Sequence, residues 1–214
     1  VLTDFGSVSL GNFSMGGSGS ISLATGASWE IANNFLVGTG ATLNLNDATV
    51  TFNGANFESS GTFNAQTSTV VIAGNSPTTI TGDMTFHNLV INNAAGVTLA
   101  GNITITGTLT LTNGKINSTS SQLLIMSATS SVAGAGPDSY VTGPVRKVGN
   151  AAVGFTFPIG SPAHYAPIGI EDLANGLATD YFTAQYFDTP WGAGPGDRPV
   201  KTPTPGAFEA SSSA

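Results

Sequence analysis

Residues Gly96–Ile116 read GVTLAGNITITGTLTLTNGKI. Three runs within this stretch, Val97–Leu99, Asn102–Thr106 and Thr108–Thr112, alternate apolar with small polar residues, and glycines or an Asn-Gly pair separate or follow them. Alternation at period two marks a strand buried on one face, and gaps this short leave no room for a connecting helix. A chain that turns every five or six residues, always with one apolar face inward, winds around its own core. The stretch therefore predicts a coil of a β-solenoid.

Working outward, the same texture recurs. Gly19, Gly40, Gly61 and Gly82 lie 21 residues apart, and Gly101 follows 19 later. Behind these glycines stand apolar pairs: Ile21 and Leu23, Leu43 and Leu45, Phe63 and Ala65, Met84 and Phe86, Ile103 and Ile105, continued by Leu123 and Ile125. A second column follows each glycine by ten to twelve residues, with Trp29 and Ile31, Val50 and Phe52, Val71 and Ala73, and near it Leu109 and Leu111. A period close to 20 with two or three short strands per turn fits a parallel β-helix whose coils stack about 4.8 Å apart. A leucine-rich repeat has a similar period, but its fixed Leu and Asn pattern and helical outer segments are not evident. Residues 1–18, with Val8, Leu10, Phe13 and Met15, are expected to form a cap, an arm or an incomplete first coil that shields the open edge.

From Gly134 the texture changes. A turn cluster, GAGPDS, ends the repeat, and four longer candidate strands follow at Tyr140–Val148, Val153–Pro158, His164–Glu171 and Leu177–Phe187. The expected fold class is all-β: a parallel β-solenoid over 19–137, then an antiparallel, β-sandwich-like cap over 138–190. The stretch WGAGPGDRPVKTPTP opens a Pro- and Gly-rich tail over 191–214.

Composition narrows the function classes. Only 8% of residues are charged, against roughly 25% in ordinary soluble domains, and the first 137 residues hold one basic residue, Lys115. A net charge of -7 argues against nucleic acid and against docking to anionic membranes. The absence of cysteine excludes a disulfide framework and thiolate metal sites while allowing an extracellular setting. No apolar run approaches the roughly 20 residues of a membrane-spanning helix, and no signal-peptide pattern is visible. Opening without Met and ending on SSSA, the chain is expected to be processed or to be a piece of a longer one.

No catalytic constellation emerges. The coil acids Glu30, Asp47, Glu58 and Asp83 fall at different phases of the repeat, so stacking does not gather them, whereas acid–base catalysis needs convergent carboxylates. His87 and His164 lack the spacing of metal ligands. Asp138, Asp172, Asp180 and Asp188 suit loop Ca²⁺ binding only in residue type. The expectation is no enzyme, no cofactor and no metal. Asn34, Asn53, Asn64, Asn92, Asn93, Asn102, Asn113 and Asn117 cluster near the proposed corners, where asparagine bonds neighbouring turns. A carbohydrate-binding or polysaccharide-degrading module is the alternative, with Trp29, Tyr181, Tyr186 and Trp191 as candidate contacts, although Trp29 falls in a core column. The triplets Thr49–Val50–Thr51, Thr104–Ile105–Thr106 and Thr110–Leu111–Thr112 raise a lesser alternative, an ice-binding face, but the windows FNAQT (63–67) and MTFHN (84–88) do not continue them.

The segment YVTGPVRKVGNAAVGFTFPIG (Tyr140–Gly160), followed by Tyr165–Ile170 and Tyr181–Pro190, resembles a module of very large surface proteins from Gram-negative bacteria with type IX secretion. In those proteins it follows Gly-, Thr- and Asn-rich repeats similar to Phe86–Ile116. The resemblance spans Thr78 to Pro190 and carries no catalytic residues over. The C-terminal sorting domain usual in such proteins is not visible. It implies an extracellular, non-catalytic adhesin or filament unit that self-associates head to tail or continues a larger surface protein, with glycans as further partners.

Overall fold

The computed structural model describes residues 2–149, 154–171, 179–188 and 207–213. Among them the chain is all-β, without a helix. The opening coils contain β1 (Leu2–Phe5) and β2 (Val8–Met15), then β3 (Ser20–Leu23) and β4 (Ser28–Val37). Next come β5 (Thr42–Asn44), β6 (Thr49–Phe52), β7 (Asn56–Ser59), β8 (Thr62–Asn64), β9 (Thr69–Ile72) and β10 (Thr78–Thr81). The stack continues through β11 (Met84–Phe86), β12 (Asn88–Asn92), β13 (Val97–Ala100), β14 (Ile103–Ile105), β15 (Thr108–Asn113) and β16 (Ile116–Asn117). It ends with β17 (Leu124–Met126), β18 (Ser131–Ala133), β19 (Val141–Thr142), β20 (Val145–Val148), β21 (Phe155–Phe157) and β22 (Ile159–Gly160). Three further strands complete the chain: β23 (Ile168–Ile170), β24 (Tyr181–Phe187) and β25 (Ala207–Ser213).

Each coil pairs in parallel with its neighbours, giving a three-sided solenoid of about seven turns. The first face carries β1-β3-β5-β8 and then β11-β14-β17-β20. The second runs through β6, β9, β12, β15 and β18, and the third through β7, β10, β13, β16, β19 and β22. Strands β2 and β4 pass around the corner between these two faces, which merges them into one 13-stranded sheet. The first face is interrupted: β8 ends one sheet and β11 begins the next. Across that break the rings of Phe63 and Phe86 meet at 5.4 Å.

Inward positions form apolar columns that are almost wholly buried, among them Ile31, Phe52, Ile72, Ile91 and Leu111 on the second face. Phe13, Phe35 and Phe57 make a ring stack, with centroids at 5.1 and 4.1 Å, and Phe35 and Phe57 are tilted by only 4°. Offset stacked rings of this kind add to area burial. The corners leave no space for side chains. At Gly54 a Cβ would lie 1.6 Å from the Asn33 carbonyl oxygen, and at Gly114, whose φ is 84°, it would lie 1.8 Å from that of Asn93.

Three expectations need correction. The second column at coil four is Val70 and Ile72, not Val71 and Ala73, because Val50 pairs with Val70 and Phe52 with Ile72. On the first face Leu124 and Met126, not Leu123 and Ile125, stack on Ile103 and Ile105; the tight turn closed by Thr119 and Gln122 shifts the phase by one residue. Parallel stacking begins before residue 19, where residues 1–18 take the incomplete-first-coil option, since β1 pairs with β3 and β2 with β4. Finally, it does not stop at 137: β19, β20 and β22 continue the coils, so 138–160 is largely solenoid. The antiparallel part consists of β24 laid on β20, β25 laid on β24, and the β21–β23 hairpin. Most of the 191–214 tail lies outside the described residues.

Candidate functional site

The exposed surface is built from ranks of small polar side chains, and many bond to the same position one coil away. Asn34 donates to Asn12 Oδ1 at 3.0 Å and Asn56 donates to Asn34 Oδ1 at 3.3 Å. On the first face Asn44 donates to Ser22 Oγ at 3.1 Å and Asn64 to Asn44 Oδ1 at 2.8 Å. Asn102 Oδ1 accepts from the Leu123 amide at 3.0 Å, and Thr142 Oγ1 bonds Asn117 Oδ1. Asparagine at these corners stitches coil to coil, as its hydrogen-bonding geometry favours.

The acids do the same work. Asp47 Oδ1 accepts the Gly26 amide at 2.8 Å, Asp83 Oδ1 accepts the Asn102 amide at 2.7 Å, and Glu30 Oε1 accepts from Asn53 Nδ2 at 3.0 Å. Glu30 sits on the second face and Glu58 on the third, so the structure does not bring the four carboxylates together. His87 Nδ1 lies 3.3 Å from Thr106 Oγ1, and His164 Nδ1 meets Asp188 Oδ1 at 3.2 Å on the surface. Asp138 and Asp180 contribute backbone carbonyls, to the amides of Gly114 and Gly149. No three His, Asp or Glu side chains gather into a metal-binding group among the described residues. Asp172 and Trp191 lie outside them.

All three described cations fasten the C-terminal region. Lys115 Nζ donates to the Pro162 carbonyl at 2.7 Å and sits over Tyr140. Arg146 Nε donates to Thr183 Oγ1 at 3.2 Å while its guanidinium covers the Tyr181 ring at 4.0 Å. Lys147 is only 2% exposed, and its ammonium bonds the carbonyls of Ser127, Ala128 and Ser130 at 2.5, 3.1 and 2.9 Å. Burial lowers the Lys147 pKa. Tyr181 is thus occupied by Arg146. Trp29 is core, donating through Nε1 to the Gly6 carbonyl at 2.8 Å. Tyr186 is half-buried against the core.

The threonine triplets belong to different faces. Thr104 is on the first face, whereas Thr49 and Thr51 stack on Thr69 and Val71, and Val90 separates Val71 from Thr110 on the second. Valines therefore interrupt the hydroxyl rank. The windows 63–67 and 84–88 lie mainly on the first face, so they bear on the Thr104–Thr106 triplet and not on the second-face rank.

Two features escaped the sequence. One is a buried polar spine at the corner between the second and third faces. Thr78 Oγ1 donates to the Gly54 carbonyl at 2.8 Å, Asn93 Nδ2 donates to Thr78 Oγ1 at 3.0 Å, and Ser139 Oγ donates to the Gly114 carbonyl at 2.7 Å. Thr78 carries no signal in the sequence, and Asn93 reads only as one more corner asparagine until its burial is known. The other is a groove of about 530 Å3 on the outside of the same corner, lined by Asn53, Ala73, Asn75, Asn92 and Asn113 among others. A larger cleft of about 890 Å3 lies between the coil corner at 128–135 and the β21 region. No family model, curated protein or solved structure matches the chain.

Proposed function

We propose that this chain is a non-catalytic structural or adhesive rod, a unit of an extracellular surface adhesin or filament. The observation that carries the reading is the uncharged strand edge at the start of the stack. Strand β2, VSLGNFSM, pairs with β4 on one side and with no strand on the other among the described residues. Eight residues without a charge or proline make a long open edge of the kind that proteins ordinarily blunt with lysine, proline or a covering element. Such an edge accepts a further strand, and a contact between unlike ends that does not close on itself generates a filament. The shaft suits this role: Glu30, Asp47, Asp83 and the Asn12–Asn34–Asn56 and Asn44–Asn64 amides serve as stitches between coils, and its core is continuous from Phe13 to Ile159.

Sedimentation velocity and electron microscopy across the micromolar range test the proposal. End-to-end particles are expected for the native chain and should be lost in a Ser9→Lys, Asn12→Lys variant, which charges the edge without touching an inward position. A native chain that stays monomeric at every concentration rejects it.

A further inference from the structure

We propose that the groove at the corner between the second and third faces binds a neutral polysaccharide running along the rod. The starting point is a contrast between corners. The Asn12–Asn34–Asn56 and Ser22–Asn44–Asn64 ranks spend their amides on one another. Asn75, Asn92 and Asn113 are exposed, and their side chains bond no group among the described residues. Three amides without protein partners, next to a fourth at Asn53, therefore converge on one concave surface.

Register fixes their arrangement. Ile72 pairs with Phe52 on one side and Ile91 on the other, and Asn92 pairs with Asn113. Asn53, Ala73, Asn92 and Asn113 thus form one rank in successive coils. Ala73 interrupts it with a methyl group and leaves the floor open between the amides of Asn53 and Asn92. Those two positions are two coils apart, about 9.6 Å, close to the length of two β-linked hexose units in an extended chain. Asn75 flanks the same opening from a bend that starts at Gly74, where φ is 94°.

The chemistry of the lining selects the ligand class. Each amide offers an acceptor oxygen and two donor hydrogens, the complement of a pair of adjacent hydroxyls. No lining residue is charged, and a chain of net charge -7 repels acidic glycans. A neutral polyhydroxylated chain satisfies the amides of Asn75, Asn92 and Asn113, which otherwise face only water, beside an Asn53 whose Nδ2 is already held by Glu30. With no ring to stack on, the groove holds each sugar weakly and gains affinity by engaging several amides along the rod. This inference deepens the adhesive reading by naming what the shaft touches, but binding by one isolated chain does not depend on assembly, so the two fail separately.

The test is a titration of the full chain, below its association range, followed through side-chain amide resonances. The probes are cellohexaose, laminarihexaose, xylohexaose and mannohexaose, with an oligogalacturonate as the acidic control. At least one neutral hexasaccharide should produce saturable millimolar shifts at Asn92 and Asn113, and the acidic control should bind more weakly. Asn92→Ala, Asn113→Ala should weaken binding about thirtyfold, the loss of two ordinary hydrogen bonds. Ala73→Leu, which fills the floor, should abolish it while circular dichroism shows both variants folded. Absence of saturable shifts with all four neutral probes overturns the proposal, as does binding that these substitutions leave unchanged.

Discussion

Asn92 and Asn93 are chemically identical neighbours with opposite predicted roles, and replacing each with alanine makes a sharp experiment. Asn93 is fully buried, and its side chain makes three hydrogen bonds: to the Ser76 carbonyl at 2.8 Å, to Thr78 Oγ1 at 3.0 Å, and from the Ala95 amide at 3.0 Å. Removing it strands the Ala95 amide in a partly buried site and leaves the Ser76 carbonyl to water, while Thr78 keeps its bond to Gly54. At about 1 kcal/mol net per bond, and up to about 3 kcal/mol for a buried group left unpaired, the loss sums to about 3–5 kcal/mol. Asn92 is exposed and has no side-chain partner among the described residues, so Asn92→Ala should change stability by no more than about 0.5 kcal/mol. Urea denaturation at equilibrium measures both, with the slope watched for a change in the exposed surface. A solenoid is stabilised largely by contacts between adjacent coils, so a severe lesion in coil five should also broaden or split the transition. Equal losses for the two variants, or an Asn93→Ala cost below about 1 kcal/mol, would refute the polar-spine argument.

Lys147→Met keeps the packing volume but leaves the Ala128 and Ser130 carbonyls without their ammonium donor, and should cost about 2–4 kcal/mol in the same assay. Burial sets the folded Lys147 pKa below 10.5, so the unfolded chain binds that proton more tightly. Between the folded value and 10.5 the native chain should gain stability relative to Lys147→Met as pH rises, and a flat difference would contradict this. Gly54→Ala places a Cβ against the Asn33 backbone, which neighbouring ladders prevent from moving away; a loss of at least about 4 kcal/mol or failure to fold is expected. Phe57→Ala removes the centre of a ring cluster that includes Phe35 at 4.1 Å, Phe52 at 5.3 Å and Phe86 at 5.9 Å. Its cost should be about 3–5 kcal/mol by thermal or chemical denaturation.

The solenoid was legible because its period and its alternation are both written in residue type. Trp29 and Ile31, Val50 and Phe52, and Leu109 and Leu111 alternate with polar neighbours, and each proved to point inward. Phase was lost where alternation is lost. Val70–Val71–Ile72–Ala73 and Leu123–Leu124–Ile125–Met126 are apolar at every position, so a slip of one residue costs nothing in the sequence pattern and only coil-to-coil pairing decides which set faces inward. The longer strands after residue 138 suggested a separate cap, yet Val141–Thr142 and Val145–Val148 stack in parallel on the coil before them. Strand length does not report pairing direction. The groove was only partly legible: Asn53, Asn92 and Asn113 stood out and Asn75 did not, and the division of asparagines into stitched and unstitched depends on distances between residues some 20 positions apart.

The interruption between β8 and β11 has a mechanical meaning. In a solenoid pulled along its axis, the backbone hydrogen bonds between coils lie along the load and carry it directly. Coils four and five share ladders on the second and third faces but none on the first, where the Phe63–Phe86 ring contact stands in for main-chain bonds. Under tension the shaft should part first there, opening beside Asn64 and Thr85, and a tethered rod would lengthen at that one joint before the rest of its coils yield.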